Sequence, residues 1–518
     1  MLDDRYWIIE LGQFKHRASR IGLRRPFSLG LRFFKQNHHH WESEYLRLFN
    51  TVCLLTILAA ITPGLTASAA EDPNFIVFLT DDQGYADVSY NPHHPKEVST
   101  PNIDRLARSS VICTAGYTSG HVCSPTRAGL MTGRYQQRFG IYTAGEGGSG
   151  VPLSETFFPQ HLKKSGYTSG AFGKWHLGVD IKFNAMHRGF DEFYGFMGRG
   201  AHDYFDLDTP DHPVYRGLKP IKDKGYLTDR ITEEAVSFIK RNKAKPFFAY
   251  IAYNAVHSPA QAPAADIRRE TDDPARNTLM AMLRSLDAGV GKIIDTLKNE
   301  GVYDNTLLFF LTDNGGSKVM HANNAPLRGY KQNDYEGGVR VPFIVSWPAR
   351  LKGGTRCDAP LMSIDILPTA LAAVGAGKAG KLPFDGRNIL PALEGKAGKV
   401  HDQLYWSSAA GKGAWAIRSG KWKLVGLKDR LELFDLESDI GESKDLSGKH
   451  PGQVKKLRQL HDAWLDKMAE PANGAAKRWS ADTPSLGKKN KKKARAEKQK
   501  LREERRAKRK AEEKKPGE

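Results

Sequence analysis

Continuous apolar runs alternate with amphipathic stretches along most of the chain. Residues 75–79 (Phe-Ile-Val-Phe-Leu), 247–251, 307–311 and 343–345 have no polar face, the pattern of strands buried on both sides of a sheet. Between them, residues 103–111, 158–164, 230–240 and 280–297 place apolar side chains at helical spacing. This alternation predicts an α/β class, a mostly parallel sheet with helices on both faces. From about His401 the texture changes. Leu404-Tyr405-Trp406, Trp415-Ala416-Ile417-Arg418, 421–425 and Leu431-Glu432-Leu433-Phe434 read as short strands joined by turns, and 454–468 as a closing helix. That unit is expected to be a smaller α+β subdomain with an antiparallel sheet. The expected organisation is an upstream segment in 1–70, a catalytic body in 71–400, the subdomain in 401–480 and a tail in 481–518.

Composition supports a large folded core. Of 518 residues, 40% are apolar and 10% aromatic, which excludes a wholly disordered chain, a collagen-like fibre and a disulfide scaffold. The net charge of +20 suggests a polyanion binder until it is mapped. Residues 488–518 hold 16 Lys/Arg against 6 Asp/Glu, and residues 1–70 hold 9 against 5. The body is close to neutral for its size. The tail has one Leu and no aromatic, so it predicts a solvated helix or disorder, either solubilising or able to contact polyanions.

Arg47, the apolar run 52–61, Pro63-Gly64 and Ala67-Ser68-Ala69 form a secretory signal pattern. The run is shorter than the roughly 20 residues a spanning helix needs, so no transmembrane anchor is expected. The mature chain would begin near Ala70 or Glu71 in an exported, periplasmic or secreted protein. Removal of Cys53 leaves Cys113, Cys123 and Cys357. Three is odd, so at least one is unpaired or chemically special.

Ligand sites in parallel sheets lie beyond the carboxyl ends of the strands. The first strand runs into Thr80-Asp81-Asp82-Gln83-Gly84, and the strand at 307–311 into Thr312-Asp313-Asn314-Gly315-Gly316. Two unrelated strands thus end in the same acidic arrangement. Gly173-Lys174-Trp175-His176 and Asn254-Ala255-Val256-His257 end two further apolar stretches. Asp81, Asp82, Asp313 and Asn314 are oxygen donors suited to a hard divalent cation. In Cys123-Ser124-Pro125-Thr126-Arg127, Ser124 fits an N-cap and Pro125 the first helical position. Cys123 would then lie at a helix start, with Arg127 one turn in.

Cys-x-Pro-x-Arg followed by Thr132-Gly133-Arg134 is similar to the signature of the sulfatase family. Gly173-Lys174-Trp175-His176-Leu177-Gly178 resembles its second signature. Arg328-Gly329-Tyr330-Lys331, running on to residues 335–342 (Tyr-Glu-Gly-Gly-Val-Arg-Val-Pro), resembles its basic segment, and Leu433-Phe434-Asp435-Leu436-Glu437 its C-terminal motif. Arg188-Gly189-Phe190-Asp191 and the loop 198–204 bring it nearest to arylsulfatase B and the N-acetylgalactosamine sulfatases.

The resemblance implies an alkaline-phosphatase-like α/β/α sandwich and hydrolysis of sulfate esters, with sulfated carbohydrate or an aryl sulfate as substrate. It also implies conversion of Cys123 to Cα-formylglycine by a maturation enzyme. Asp81, Asp82, Cys123, Asp313 and Asn314 would hold Ca²⁺, with Mg²⁺ as the alternative. The hydrated aldehyde would attack sulfur, His257 and Lys331 would serve the leaving oxygen, and His176 would deprotonate the second hydroxyl. Arg127 and Lys174 would balance charge on the sulfuryl oxygens, and His202 and Asp203 would contact substrate. The alternative readings are a phosphonate or phosphodiester hydrolase on the same fold, and an unmodified protein that binds sulfated glycan.

Overall fold

The computed structural model describes residues 72–472, apart from 199, 210–211, 409–412 and 429. The signal segment within 1–70, Cys53 and the basic tail lie outside the described residues.

In chain order the strands of the body are β1 (Asn74–Thr80), β2 (Val111–Cys113), β3 (Gly116–Tyr117), β4 (Thr168–Lys174), β5 (Glu192–Phe196), β6 (Val214–Arg216), β7 (Lys219–Ile221), β8 (Phe247–Ala252), β9 (Thr306–Thr312), β10 (Phe343–Ser346), β11 (Thr355–Cys357) and β12 (Leu361–Met362). Ten of them form one sheet in the order β11-β2-β10-β9-β1-β8-β4-β5-β6-β7. The five central strands from β9 to β5 are parallel. The expected parallel sheet is therefore mixed, because β10 runs antiparallel to both of its neighbours and β6 and β7 add an antiparallel edge.

Alternate side chains of the central strands enter two separate cores. Phe75, Val77 and Leu79 lie on one face with Phe248, Phe309 and Leu311, while Ile76 and Phe78 lie on the other with Ala249, Leu308 and Phe310. Burial on both sides explains why these strands lack a polar stripe. The first face is covered by α2 (Cys123–Thr132) and α6 (Ile366–Ala373). The second is covered by α1 (Pro101–Arg108), α3 (Leu227–Asn242) and α4 (Pro274–Asn299). α1 is shorter than its apolar spacing predicts. It stops at Arg108, and the β-branched pair Val111-Ile112 pairs instead with β10 and β11.

The C-terminal unit is an antiparallel meander of β13 (Leu404–Ser407), β14 (Trp415–Ser419), β15 (Trp422–Leu427) and β16 (Arg430–Asp435). One face packs Trp415, Ile417, Leu424 and Leu433 on Leu457 of α7 (Pro451–Leu465). The other packs Trp406, Val425 and Phe434 on Tyr117, Tyr335 and Val339 of the body. The meander is thus seated on the segment from Tyr335 to Val339, which includes α5 (Glu336–Val339).

Candidate active site

Because β1 and β9 are parallel with Thr80 opposite Thr312, their two acidic extensions leave the sheet side by side. The ladder continues past the strands: the Asp313 amide donates to the Thr80 carbonyl at 3.1 Å, and the Asp81 amide to Ala255 at 3.0 Å. Asp82 and His176 then take left-handed backbone angles, φ 61° and 56°. For non-glycine residues this conformation carries a cost, held here by the surrounding structure.

Every residue of α2 is buried, and the helix begins at Cys123 itself, after an extended Val122. Ser124 is therefore not its N-cap. The Ser124 hydroxyl donates instead to the carbonyl of His176 at 2.6 Å, tying the end of β4 to the helix, and Pro125 sits within the first turn, where no intrahelical amide is needed.

Asp81, Asp82, Cys123 and His257 bring one ligand atom each within 4.8 Å of one another. Lys174 Nζ lies 2.6 Å from Asp81 Oδ2, and Cys123 Sγ 3.5 Å from Asp81 Oδ1. Lys331 Nζ lies 2.6 and 2.9 Å from the two oxygens of Asp82 and 3.3 Å from Cys123 Sγ. His257 Nε2 is 3.6 Å from Asp82 Oδ2. Arg127, fully buried, donates from Nε to Asp313 Oδ2 at 2.9 Å and from a terminal nitrogen to the Lys174 carbonyl at 2.9 Å. The guanidinium is thus paired with Asp313 and the Lys174 backbone, and it orients that carboxylate.

The donor set fits a hard cation. Asn314 donates from Nδ2 to Asp82 Oδ1 at 2.8 Å, while its own Oδ1 is buried with no hydrogen-bond partner. An orphaned buried amide oxygen costs about 1–3 kcal/mol, and a cation held among Asp81, Asp82, Asp313 and Asn314 would remove that cost.

Burial opposes every charge in the site, and the neighbours decide the outcome. Burial raises Asp81 and Asp313 despite Lys174 and Arg127. Lys331 and His257 overcome burial at Asp82 and hold it well below the usual carboxylate range. Lys174 and Lys331 bring the Cys123 thiol down to about 6. Burial, together with Lys174 and Arg127, drives His176 well down, whereas Asp81 and Asp82 lift His257 to about 9 against its own burial. Two histidines at one site are thus pushed in opposite directions, His176 down and His257 up.

The two residues expected to contact substrate both have protein partners. His202 is buried, with its ring nitrogens 2.7 Å from the Asp203 carbonyl and 2.8 Å from that of His212. Asp203 accepts from the Phe205 and Asp206 amides and from Gln261. His202 is held within its own loop, and Asp203 also reaches Gln261 on the segment after β8. In the same loop Tyr204, fully buried, places its hydroxyl 2.7 and 2.9 Å from the Asn254 and His257 carbonyls and so fixes the His257 turn. A Tyr-Phe pair in a loop gives no periodic signal, so the role of Tyr204 is not legible from the sequence.

A family model described as Sulfatase matches residues 73–376, more than half of the chain. The chain belongs to the sulfatase family. A second model, N-sulphoglucosamine sulphohydrolase, C-terminal, matches residues 330–470. The N-acetylgalactosamine-6-sulfatase of Mus musculus is 34% identical over 427 residues, covering 76% of this chain and 80% of that protein. An uncharacterized sulfatase of Escherichia coli is 33% identical over 491 residues, covering 77% and 86%. The crystal structure of Ps i-CgsB aligns with a TM-score of 0.74 at 34% identity, covering 79% of this chain and 97% of that one. The phosphonate monoester hydrolase of Agrobacterium radiobacter, at 19% identity and a TM-score of 0.58, shares the fold. This sulfatase is therefore a sulfuric ester hydrolase, on the alkaline-phosphatase-like sandwich with a C-terminal antiparallel sheet that the sequence predicts. Among the described residues no helix is long and apolar enough to cross a membrane.

Proposed function

We propose that this sulfatase is exported and hydrolyses sulfate esters of carbohydrates, with Cys123 converted to Cα-formylglycine beside bound Ca²⁺, or Mg²⁺ in its place. The observation that carries the reading is the meeting of Asp81, Asp82, Cys123 and His257 within 4.8 Å at the start of α2. Carbohydrate is favoured by two relatives of about one-third identity, the N-acetylgalactosamine-6-sulfatase and Ps i-CgsB, the latter also solved with k-i-k-neocarrahexaose.

Asp81, Asp82, Asp313 and Asn314 would hold the cation, which when bound supplies positive charge against the sulfuryl oxygens. A formylglycine hydrate at position 123 supplies one hydroxyl to attack sulfur and a second whose deprotonation releases sulfate. A plain thiol lacks that second hydroxyl. Lys331, 3.3 Å from the position-123 heteroatom, and His257, in the same cluster, are placed to give a proton to the departing alcohol oxygen. His176, neutral and with a buried unpartnered Nδ1, is suited to take the proton of the second hydroxyl. Lys174 holds Asp81 and Arg127 holds Asp313, so these two buried carboxylates of the site keep their orientation through the reaction.

The deciding experiment is the mass of the Cys123 peptide from exported protein, with paired assays on aryl sulfate and aryl phosphate. The expected result is formylglycine and sulfate turnover. An intact thiol with no hydrolysis would favour a glycan-binding protein, and a preference for phosphate esters would favour the phosphodiesterase reading.

A further inference from the structure

Lys423 lies at the centre of the C-terminal meander, on β15 between β14 and β16, and has no exposed surface. Its Nζ is 2.8 Å from Glu336 Oε1 and 3.1 Å from Glu442 Oε1. Glu336 and Glu442 are also fully buried. Glu336 Oε2 accepts from the Tyr117 hydroxyl at 2.7 Å and from Arg340 at 3.1 Å, and its backbone amide donates to Glu442 at 2.6 Å. A group of ions this deep is costly unless each member is paired, and removing one partner leaves an uncompensated charge. The packing of the meander needs no such group, since its apolar residues already cover both faces.

What the group does fix is the first residue of α5. From there, short backbone contacts lead to the active site. The Gly337 amide donates to the Arg328 carbonyl at 2.7 Å, and the Gly315 amide to Gly338 at 2.9 Å. These backbones touch because glycine stands at each crossing. A Cβ on Gly315 would fall 1.8 Å from the Gly337 carbonyl oxygen, and one on Gly338 1.9 Å from that of Asn333. The segment that follows Arg328 carries Lys331, and Gly315 directly follows Asn314. A shift of α5 therefore moves both the lysine beside Cys123 and the amide of the cation site.

We infer that Lys423 is a positioning residue for catalysis: through Glu336 and α5 it sets the places of Lys331 and Asn314, making the C-terminal meander a working part of the active site. The inference rests on the proposed proton-donating role of Lys331 for its kinetic signature, and on geometry alone for its structural one.

The test compares wild type, Lys423→Met, the milder Glu336→Gln and Lys331→Ala on an alkyl and an aryl sulfate, with hydrogen exchange read along the chain. Glu336→Gln keeps Lys423 beside Glu442, though it also takes the counterion of Arg340, and stands in if Lys423→Met does not fold. Expected are a kcat loss of about 10-fold or more on the alkyl ester, a smaller loss on the better aryl leaving group and KM changed less than about threefold. Faster exchange should be confined to residues 313–316 and 328–339. Unchanged kcat per folded molecule, or equal losses on both esters while Lys331→Ala discriminates between them, would overturn the inference. If Lys331→Ala itself does not discriminate, it is the role of Lys331 that fails. Exchange then decides the positioning claim: local acceleration sustains it and an unchanged pattern overturns it.

Discussion

Lys331 and Cys123 stand 208 residues apart in sequence, yet Lys331 Nζ lies 3.3 Å from Cys123 Sγ. The same ammonium is held by both oxygens of Asp82, so it cannot drift from the nucleophile position without breaking an ion pair.

A fixed cation at the departing oxygen is worth most when that oxygen is a poor leaving group. Lys331→Ala is therefore expected to lower kcat by about 10²–10⁴ on an alkyl sulfate and by less on an aryl sulfate of an acidic phenol. Steady-state kinetics on the two esters give the ratio. Equal losses would assign Lys331 to binding or structure.

The proximity of these residues was half legible in the chain. The repeated Leu-Thr-Asp-(Asp/Asn)-x-Gly ending was readable because a parallel sheet delivers equivalent strand ends to one edge, and Thr80 does face Thr312. The long helices were readable for the same kind of reason, since α3 and α4 bury one periodic face. Ser124 was misread because Ser-Pro is a general helix-start signal, while the partner that claims its hydroxyl, the His176 carbonyl, comes from another strand. Lys423 sits in an alternating Trp-Lys-Leu-Val strand, where a lysine reads as solvent-facing. Only the tertiary fold supplies Glu336 and Glu442. The partners of His202 and Asp203 were not legible either: the His212 carbonyl lies ten residues on, and Gln261 comes from the segment after β8.

Asp313 is the counterion of Arg127 and, in the proposed function, also a ligand of the cation. Asp313→Ala should lower bound divalent metal and activity together. It should also destabilise the protein by about 3–5 kcal/mol even in chelator, because a fully buried guanidinium loses its partner. Metal content by elemental analysis and denaturant melts with and without chelator separate the two effects. Unaltered stability in chelator would show that Arg127 has found another anion.

Stability should fall in mild acid through His461. The ring is buried, stacked on Trp415 at 4.1 Å, and burial holds its pKa at about 4 against 6.5 when free. With a depressed folded value, its contribution is complete above pH 6.5 and is lost as pH falls toward and through 4. Between pH 7 and 4.5 this amounts to about 2–3 kcal/mol. Glu442, raised to about 7 by burial, acts in the opposite direction, its share being present below 4.5 and lost as pH rises through 7. His461→Phe keeps the stack and leaves Glu442 untouched, so the difference between the two pH–stability curves isolates the histidine. Parallel curves would show that the ring is not buried as a neutral base.

Residues 488–518 carry 16 Lys/Arg and no apolar face. Deleting them should leave kcat on a small aryl sulfate unchanged while weakening retention on an immobilised polyanion, with the difference fading as salt rises. A lowered melting temperature on truncation would mean that the tail contributes to the folded body.

The nucleophile itself is tested by Cys123→Ser, expressed in a host whose maturation enzyme accepts only cysteine. Serine keeps one hydroxyl and nearly the volume of the thiol. It should fold and retain the cation, since Asp81, Asp82, Asp313 and Asn314 are unchanged. Its hydroxyl can attack sulfur once and release the alcohol, but no second hydroxyl remains on that carbon to expel sulfate. The variant is therefore expected to give at most one equivalent of alcohol and to accumulate a sulfated serine, seen as a mass increase on the residue-123 peptide that persists after substrate is removed. Wild type under the same conditions should turn over repeatedly and carry no stable adduct. Repeated sulfate-ester turnover by the serine variant, without an adduct, would mean that water attacks sulfur directly, and the formylglycine route would fall.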